Sequence, residues 1–172
     1  MKTEYLLNRE VEHVLAALTP SNRLAVRVAL HTGLRIGDVL SLETAQLSTR
    51  FYITEAKTGK RRLVGLPAPL LADLRKHAGK KWVFPKMGKP DEHRTRQAVF
   101  CDVKRAAKAF RLPQNVAPHS FRKVYAVNLL ERYGDIEKVR RALNHSSQTV
   151  TMIYAMADKL LRAKHKKRPH GA

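Results

Sequence analysis

The sequence predicts a mainly α protein carrying one small antiparallel β-hairpin, an α+β fold. Three observations lead there. Apolar residues recur at helical spacing through most of the chain, and residues 51–67 alone switch to strand-like patterning around a Lys-Thr-Gly-Lys turn. Apolar residues also make up 44% of the 172, enough to build a core and too many for a chain disordered throughout.

Taken in order, residues 8–18 read as a short helix capped by Asn8 and closed by Thr19-Pro20. A second helix spans 20–32, with Pro20 in its first turn and Gly33 as its stop. Its Leu24, Val26, Val28, Ala29 and Leu30 crowd more than one face, which predicts a central, buried helix. A third helix begins near Ile36 and sends Val39, Leu40 and Leu42 to the core. Residues 51–56 and 61–67 form the hairpin, joined by Lys57-Thr58-Gly59-Lys60. A helix follows over 67–77, then a loop, a short apolar piece at 82–85 and a Gly- and Pro-containing loop over 86–93. Longer helices are predicted over 94–110 and 118–132. Asp135 caps the next, through Leu143, and Ser146 or Ser147 caps one bearing Tyr154. No internal repeat or second domain is evident, so residues 1–172 read as one domain with a basic tail from about Lys159.

Charge narrows the function classes. Thirty-four Lys and Arg against 14 Asp and Glu give a formal net charge of +20, which calls for a polyanionic partner. No apolar run is long enough to span a bilayer, and Met1-Lys2-Thr3-Glu4 leads into no apolar h-region. The expectation is a soluble cytoplasmic protein, associated with DNA or the nucleoid and not with a membrane. The sole cysteine, Cys101, has no internal disulfide partner and no zinc-like spacing. His13, His31, His77, His93, His165 and His170 show no metal-ligand pattern, so neither metal nor cofactor is expected.

The chemistry-bearing stretch is Pro118-His119-Ser120-Phe121-Arg122. On a helix, residues three apart are neighbours, so His119 and Arg122 present two donors on one face, a grip suited to phosphate. Arg35, between Leu34 and Ile36, lies at a helix junction where an unpaired charge would be costly. It reads either as a structural ion pair with Asp38 or as a guanidinium positioned for a phosphate. Lys57, Lys60, Arg61 and Arg62 cluster at the hairpin tip, either as a solvated turn or as a probe for DNA. Thr58-Gly59-Lys60 is not a P-loop, since the upstream glycine and following helix are missing.

In sequence order these pieces resemble the tyrosine recombinases, the phage-integrase family. Thr32-Gly33-Leu34-Arg35-Ile36 is similar to the family's first arginine motif, and Lys57 in its Lys-Thr-Gly setting to the hairpin lysine. His119-Ser120-Phe121-Arg122 resembles the His-x-x-Arg motif, and Leu143-Asn144-His145-Ser146-Ser147 the second histidine motif. Tyr154, nine residues beyond His145, sits where the family has its nucleophile. Five motifs in order, covering about 19–154, make the resemblance specific. It implies the tyrosine recombinase catalytic-domain fold.

The resemblance also implies a reaction. Strands would be cut without metal by in-line attack of the Tyr154 phenol on a backbone phosphorus, leaving a 3′-phosphotyrosyl link. A free 5′-hydroxyl then reverses the step, giving site-specific recombination or integration. By the same resemblance Arg35 and Arg122 hold the non-bridging oxygens, and Lys57 protonates the leaving 5′-oxygen. His119 serves proton transfer at the tyrosine, His145 bonds a phosphate oxygen, and Asp38 supports the active-site arginine. The implied partners are double-stranded DNA and other copies of the chain, assembled as a tetramer on DNA. Lys60, Arg61, Arg62, Arg94, Arg96 and Lys104 are the candidate DNA contacts.

Two departures from the family pattern stand out. Phe121 and Asn144 occupy positions where leucine and glycine are more usual. The first arginine motif begins at Thr32, leaving no room for the family's separate N-terminal core-binding domain, which is expected to be absent. Two alternatives stand beside this reading: a non-catalytic DNA-binding accessory or regulatory protein on the same fold, and relaxation of supercoils in the manner of type IB topoisomerases, which share this chemistry.

Overall fold

Pro20 and Gly33 bracket a helix on which three other helices of the first unit pack. The structure, a computed structural model, describes residues 4–143. These fall into two compact units that divide between Tyr125 and Ala126.

In the first unit, α1 (Asn8–Ala17) and α2 (Pro20–Thr32) are followed by the single-turn α3 (Ile36–Leu40). The residue at the α1 cap is Leu7 and not Asn8: the Glu10 carboxylate reaches back to accept the Leu7 amide at 2.7 Å, which starts the helix one residue early. Helix α2 buries Leu24, Ala25, Val26, Val28 and Ala29, residues on more than one face, as its sequence predicts. It packs against α1, α3 and α4 (Ala68–His77). Gly33 ends it in the left-handed conformation, φ 67°, with its amide bonded to Ala29 at 2.8 Å.

The predicted hairpin forms from β1 (Arg50–Thr54) and β2 (Arg61–Gly65), antiparallel, with Arg50 opposite Gly65 and Thr54 opposite Arg61. Phe51, Ile53 and Val64 face the core, while Tyr52 and Leu63 face solvent. The Arg61 guanidinium lies 4.1 Å above the exposed Tyr52 ring. A second hairpin, β3 (Pro85–Lys86) with β4 (Lys89–His93), replaces the loop expected over 86–93. Every residue of β4 is exposed, so its sequence has no apolar alternation to signal a strand. Its turn closes at Gly88, φ 77°.

Helix α5 (Arg96–Ala109) starts two residues later than expected, because the Thr95 hydroxyl accepts the Ala98 amide and caps it. It packs on α1 and α3. Asp102 joins it to the α1–α2 junction, accepting from the Thr19 amide (2.9 Å), the Thr19 hydroxyl (2.8 Å), Asn22 (2.7 Å) and Arg105 (2.6 Å). Helix α6 (Pro118–Tyr133) begins in this unit. Phe121 and Val124 belong to its core.

The second unit continues α6 from Ala126, stops it at Gly134 (φ 64°), and adds α7 (Ile136–Ala142). Asp135 caps α7 as expected, accepting the Glu137 and Lys138 amides at 2.8 and 3.2 Å. His145, the helix expected to carry Tyr154, and the basic tail lie outside the described residues. Among the described residues no helix is long and apolar enough to cross a membrane.

Candidate active site

The site in the first unit is built where the α2–α3 junction, the first hairpin and the start of α6 meet. Lys57 is exposed in the hairpin turn. The turn is closed by Glu55, whose carbonyl accepts the Thr58 amide (3.2 Å) and the Gly59 amide (2.9 Å), while its own amide donates to Lys60 (3.0 Å). Gly59 at φ 64° provides the left-handed residue the turn needs.

The Glu55 side chain is fully buried between two arginines. Arg35 donates through Nη1 to Oε2, and Arg62 through Nη1 to Oε1 at 3.5 Å. Arg62 also donates to the Thr32 carbonyl. Arg35 therefore has Glu55 as its ion-pair partner, where the sequence suggested Asp38. Asp38 is buried instead against the hairpin, accepting the Ala56 amide at 3.0 Å through Oδ1. Its Oδ2 has no hydrogen-bond partner among the described residues.

Arg122 is buried and donates through Nη1 to the Gly33 carbonyl at 2.6 Å. The Tyr125 ring packs closely on Gly33: a β-carbon there would stand 2.3 Å from Tyr125 Cδ1. Burial lowers the Arg122 pKa to about 10, with Arg35 and Arg62 pushing the same way and Glu55 and Asp38 opposing. It stays protonated at neutral pH. His119 is exposed at its surface, yet the protein packed around its ring and the charges of Lys123, Arg122, Arg35 and Lys57 lower its pKa to about 4. At neutral pH the imidazole is uncharged, able to accept a proton. Lys123, one turn beyond His119, is 3% exposed.

His119 also lines one wall of an open cleft of about 540 Å³, with Ile36, Phe100 and Pro118 as apolar lining and Arg96 and Gln97 beside them. Thus Arg35, Lys57, His119 and Arg122 share one electrostatic environment. The surrounding cations favour an anion, and the uncharged imidazole among them can accept a proton.

The other expected residues divide. Lys60, Arg61 and Arg96 are exposed. Arg94 is half-buried and donates to Asn22 at 2.6 Å, and Lys104 donates to Asn115 at 2.5 Å while lying 5.6 Å above the Phe100 ring. Arg62, grouped by sequence with the exposed tip, is turned inward, its side chain 11% exposed. Sequence reasoning missed Glu55 altogether. The signal was the strand period: Phe51, Ile53 and Glu55 share one face, as do Arg62, Val64 and Leu66, so the charged members of both sets point inward with the core. Among the described residues no group of three or more His, Cys, Asp or Glu is placed to hold a metal ion.

Comparison with known proteins gives consistent findings. The sequence model of the phage integrase family matches residues 4–160. The chain is 33% identical over 134 residues to tyrosine recombinase XerD of Rhizobium meliloti (strain 1021), covering 72% of this chain and 43% of that protein. Its fold is similar to the catalytic domain of bacteriophage HP1 integrase, with a TM-score of 0.65, 22% identity, and coverage of 98% of this chain and 97% of that one. It is also similar to lambda integrase in a tetramer bound to a Holliday junction, with a TM-score of 0.73 and 19% identity over 89% of this chain and 48% of that one. The chain spans between 43% and 56% of the length of the curated relatives it matches.

Proposed function

Because the chain belongs to the phage integrase family, we propose that it cleaves and rejoins DNA strands site-specifically, with Tyr154 as nucleophile and a covalent 3′-phosphotyrosyl intermediate. The observation that carries this reading is the gathering of Arg35 at the α2–α3 junction, Lys57 in the hairpin turn, and His119 and Arg122 at the start of α6, with Arg35 bonded to Glu55 and Arg122 to the Gly33 carbonyl. A phosphodiester needs its charge neutralised before a second oxygen can attack it, and two guanidinium groups supply fixed donors for that. Removing one donor of this kind typically costs on the order of 100-fold in rate.

Free tyrosine has a pKa of about 10, so attack at neutral pH needs a base. In this proposal His119 accepts the Tyr154 proton as the O–P bond forms, and Lys57 gives a proton to the departing 5′-oxygen. His145 bonds a non-bridging oxygen, and Asp38 offsets part of the charge around Arg122. No metal takes part. In the reverse step a 5′-hydroxyl attacks phosphorus and the phenolate leaves, so the bond energy is kept. Lys60, Arg61, Arg94, Arg96 and Lys104 contact the DNA, and four copies assemble on the recombining sites.

The test is covalent trapping on DNA carrying the cognate site and a nick that lets the 5′ fragment escape. A denaturant-stable protein–DNA adduct that disappears in Tyr154→Phe establishes nucleophile and reaction class together. Binding to the cognate site without any adduct would instead make this a non-catalytic DNA-binding protein.

A further inference from the structure

We propose that Glu55 and Arg62 are positioning residues for strand cleavage, together fixing Arg35 and the lysine-bearing turn in one working geometry. This inference rests on the reaction proposed above. It begins from an unusual burial: Glu55 is fully buried one residue beyond β1, whose inward residues are Phe51 and Ile53. A carboxylate placed there costs free energy unless both oxygens are satisfied. Both are, each by a different arginine.

The pair does more than neutralise a charge. Arg62 is anchored at two points, Glu55 Oε1 and the Thr32 carbonyl, so it ties β2 to the end of α2. By occupying Oε1 it leaves Oε2 to meet Arg35 through a single nitrogen. That contact holds one end of a guanidinium that has five donors. Two arginines against one carboxylate also leave a net positive charge, so the arrangement still draws an anion. The backbone of the same Glu55 closes the turn that presents Lys57. A single residue thus links the group that holds the phosphate to the group that protonates the leaving oxygen.

Arg62 is accordingly a buttress and not a groove contact. Without it, Glu55 is expected to draw Arg35 into a two-point fork and turn it from the phosphate. Without the Glu55 charge, Arg35 loses this ion pair. Either displacement matters, since misplacing a reacting group by about 1 Å can cost about 100-fold in rate.

The experiment uses the full chain with Glu55→Gln, Arg62→Lys and Arg62→Met, and reads two quantities. The first is the guanidinium 15N signals of Arg35, assigned through Arg35→Lys. Restricted, separate Nη signals are expected in the unaltered protein, merging or shifting in Glu55→Gln and Arg62→Met. The second is the rate of adduct formation on nicked cognate DNA, expected to fall about 10- to 100-fold in both variants while DNA affinity stays within about twofold. Arg62→Lys keeps the charge and loses the fork, and should fall between. Unchanged Arg35 signals and unchanged rate would overturn the proposal, as would loss of DNA affinity in proportion to rate. If the unaltered protein forms no adduct on its cognate site, that counts against the cleavage reading, and the Arg35 signals alone decide the positioning role.

Discussion

Arg122 donates through Nη1 to the carbonyl oxygen of Gly33 at 2.6 Å, across 89 residues of sequence. The acceptor carbonyl belongs to a residue that only glycine can occupy comfortably. A left-handed φ of 67° and an aromatic ring against the α-carbon both exclude a side chain. The conformation of one glycine is therefore tied by a hydrogen bond to a buried guanidinium on a distant helix.

Gly33→Ala tests that link. The left-handed backbone costs about 1–2 kcal/mol for an ordinary residue, and the Tyr125 ring must move as well. Denaturant unfolding should show a loss of about 2 kcal/mol or more. Adding Tyr125→Ala should recover the clash but not the backbone strain, leaving the double variant more stable than the two separate losses would sum to.

His119 predicts a pH signature. Its folded pKa of about 4 lies below the ordinary 6.5, so the folded state binds fewer protons than the unfolded chain between those values. Stability contributed by this group is therefore complete above about 6.5 and declines as pH falls toward 4. His119→Gln should flatten the pH dependence of unfolding free energy in that window. For cleavage, the limb set by His119 should appear near pH 4 in free protein and move upward once DNA phosphate is bound, because an anion stabilises the imidazolium.

Asp102 gives a second, separate acid limb. Burial disfavours its charge, but hydrogen bonds from Asn22, the Thr19 amide, Arg105 and the Thr19 hydroxyl more than offset that and hold its pKa at about 2. Its stabilisation is present above about 3.8 and is lost as pH falls through 2. Asp102→Ala leaves the buried Asn22 amide and the Thr19 groups without their acceptor and should cost about 3 kcal/mol by thermal or denaturant unfolding at neutral pH.

Salt titration separates groove contacts from buttresses. With a net charge of +20, affinity for duplex DNA should fall linearly in log–log terms with added salt. Replacing Lys60, Arg61 or Arg96 by alanine should lower the magnitude of that slope by about one each. Arg62→Met should leave the slope unchanged, because its guanidinium is spent inside the protein on Glu55 and Thr32.

Periodicity and punctuation in the chain announced most elements. Pro20 and Gly33 marked the ends of α2, and Asp135 the start of α7, because these residues act through local backbone chemistry. The second hairpin was not legible, because its strand is exposed throughout and carries no apolar alternation. Arg35, Lys57, His119 and Arg122 were named by motif. The partner of Arg35 was not, because Glu55 lies 20 positions away and only the hairpin's return brings it to the junction.

By itself, then, the sequence determined the helical plan, the hairpin and the polyanion-seeking charge, all consequences of short-range spacing and composition. The tertiary structure decided which charges face inward. It paired Arg35 with Glu55 and withdrew Arg62 from the exposed tip. It also packed Tyr125 on Gly33 and set four positively charged groups around one neutral imidazole. The physical reason is that a buried charge takes its partner from whatever the fold brings within hydrogen-bonding distance, and spacing along the chain does not encode that distance.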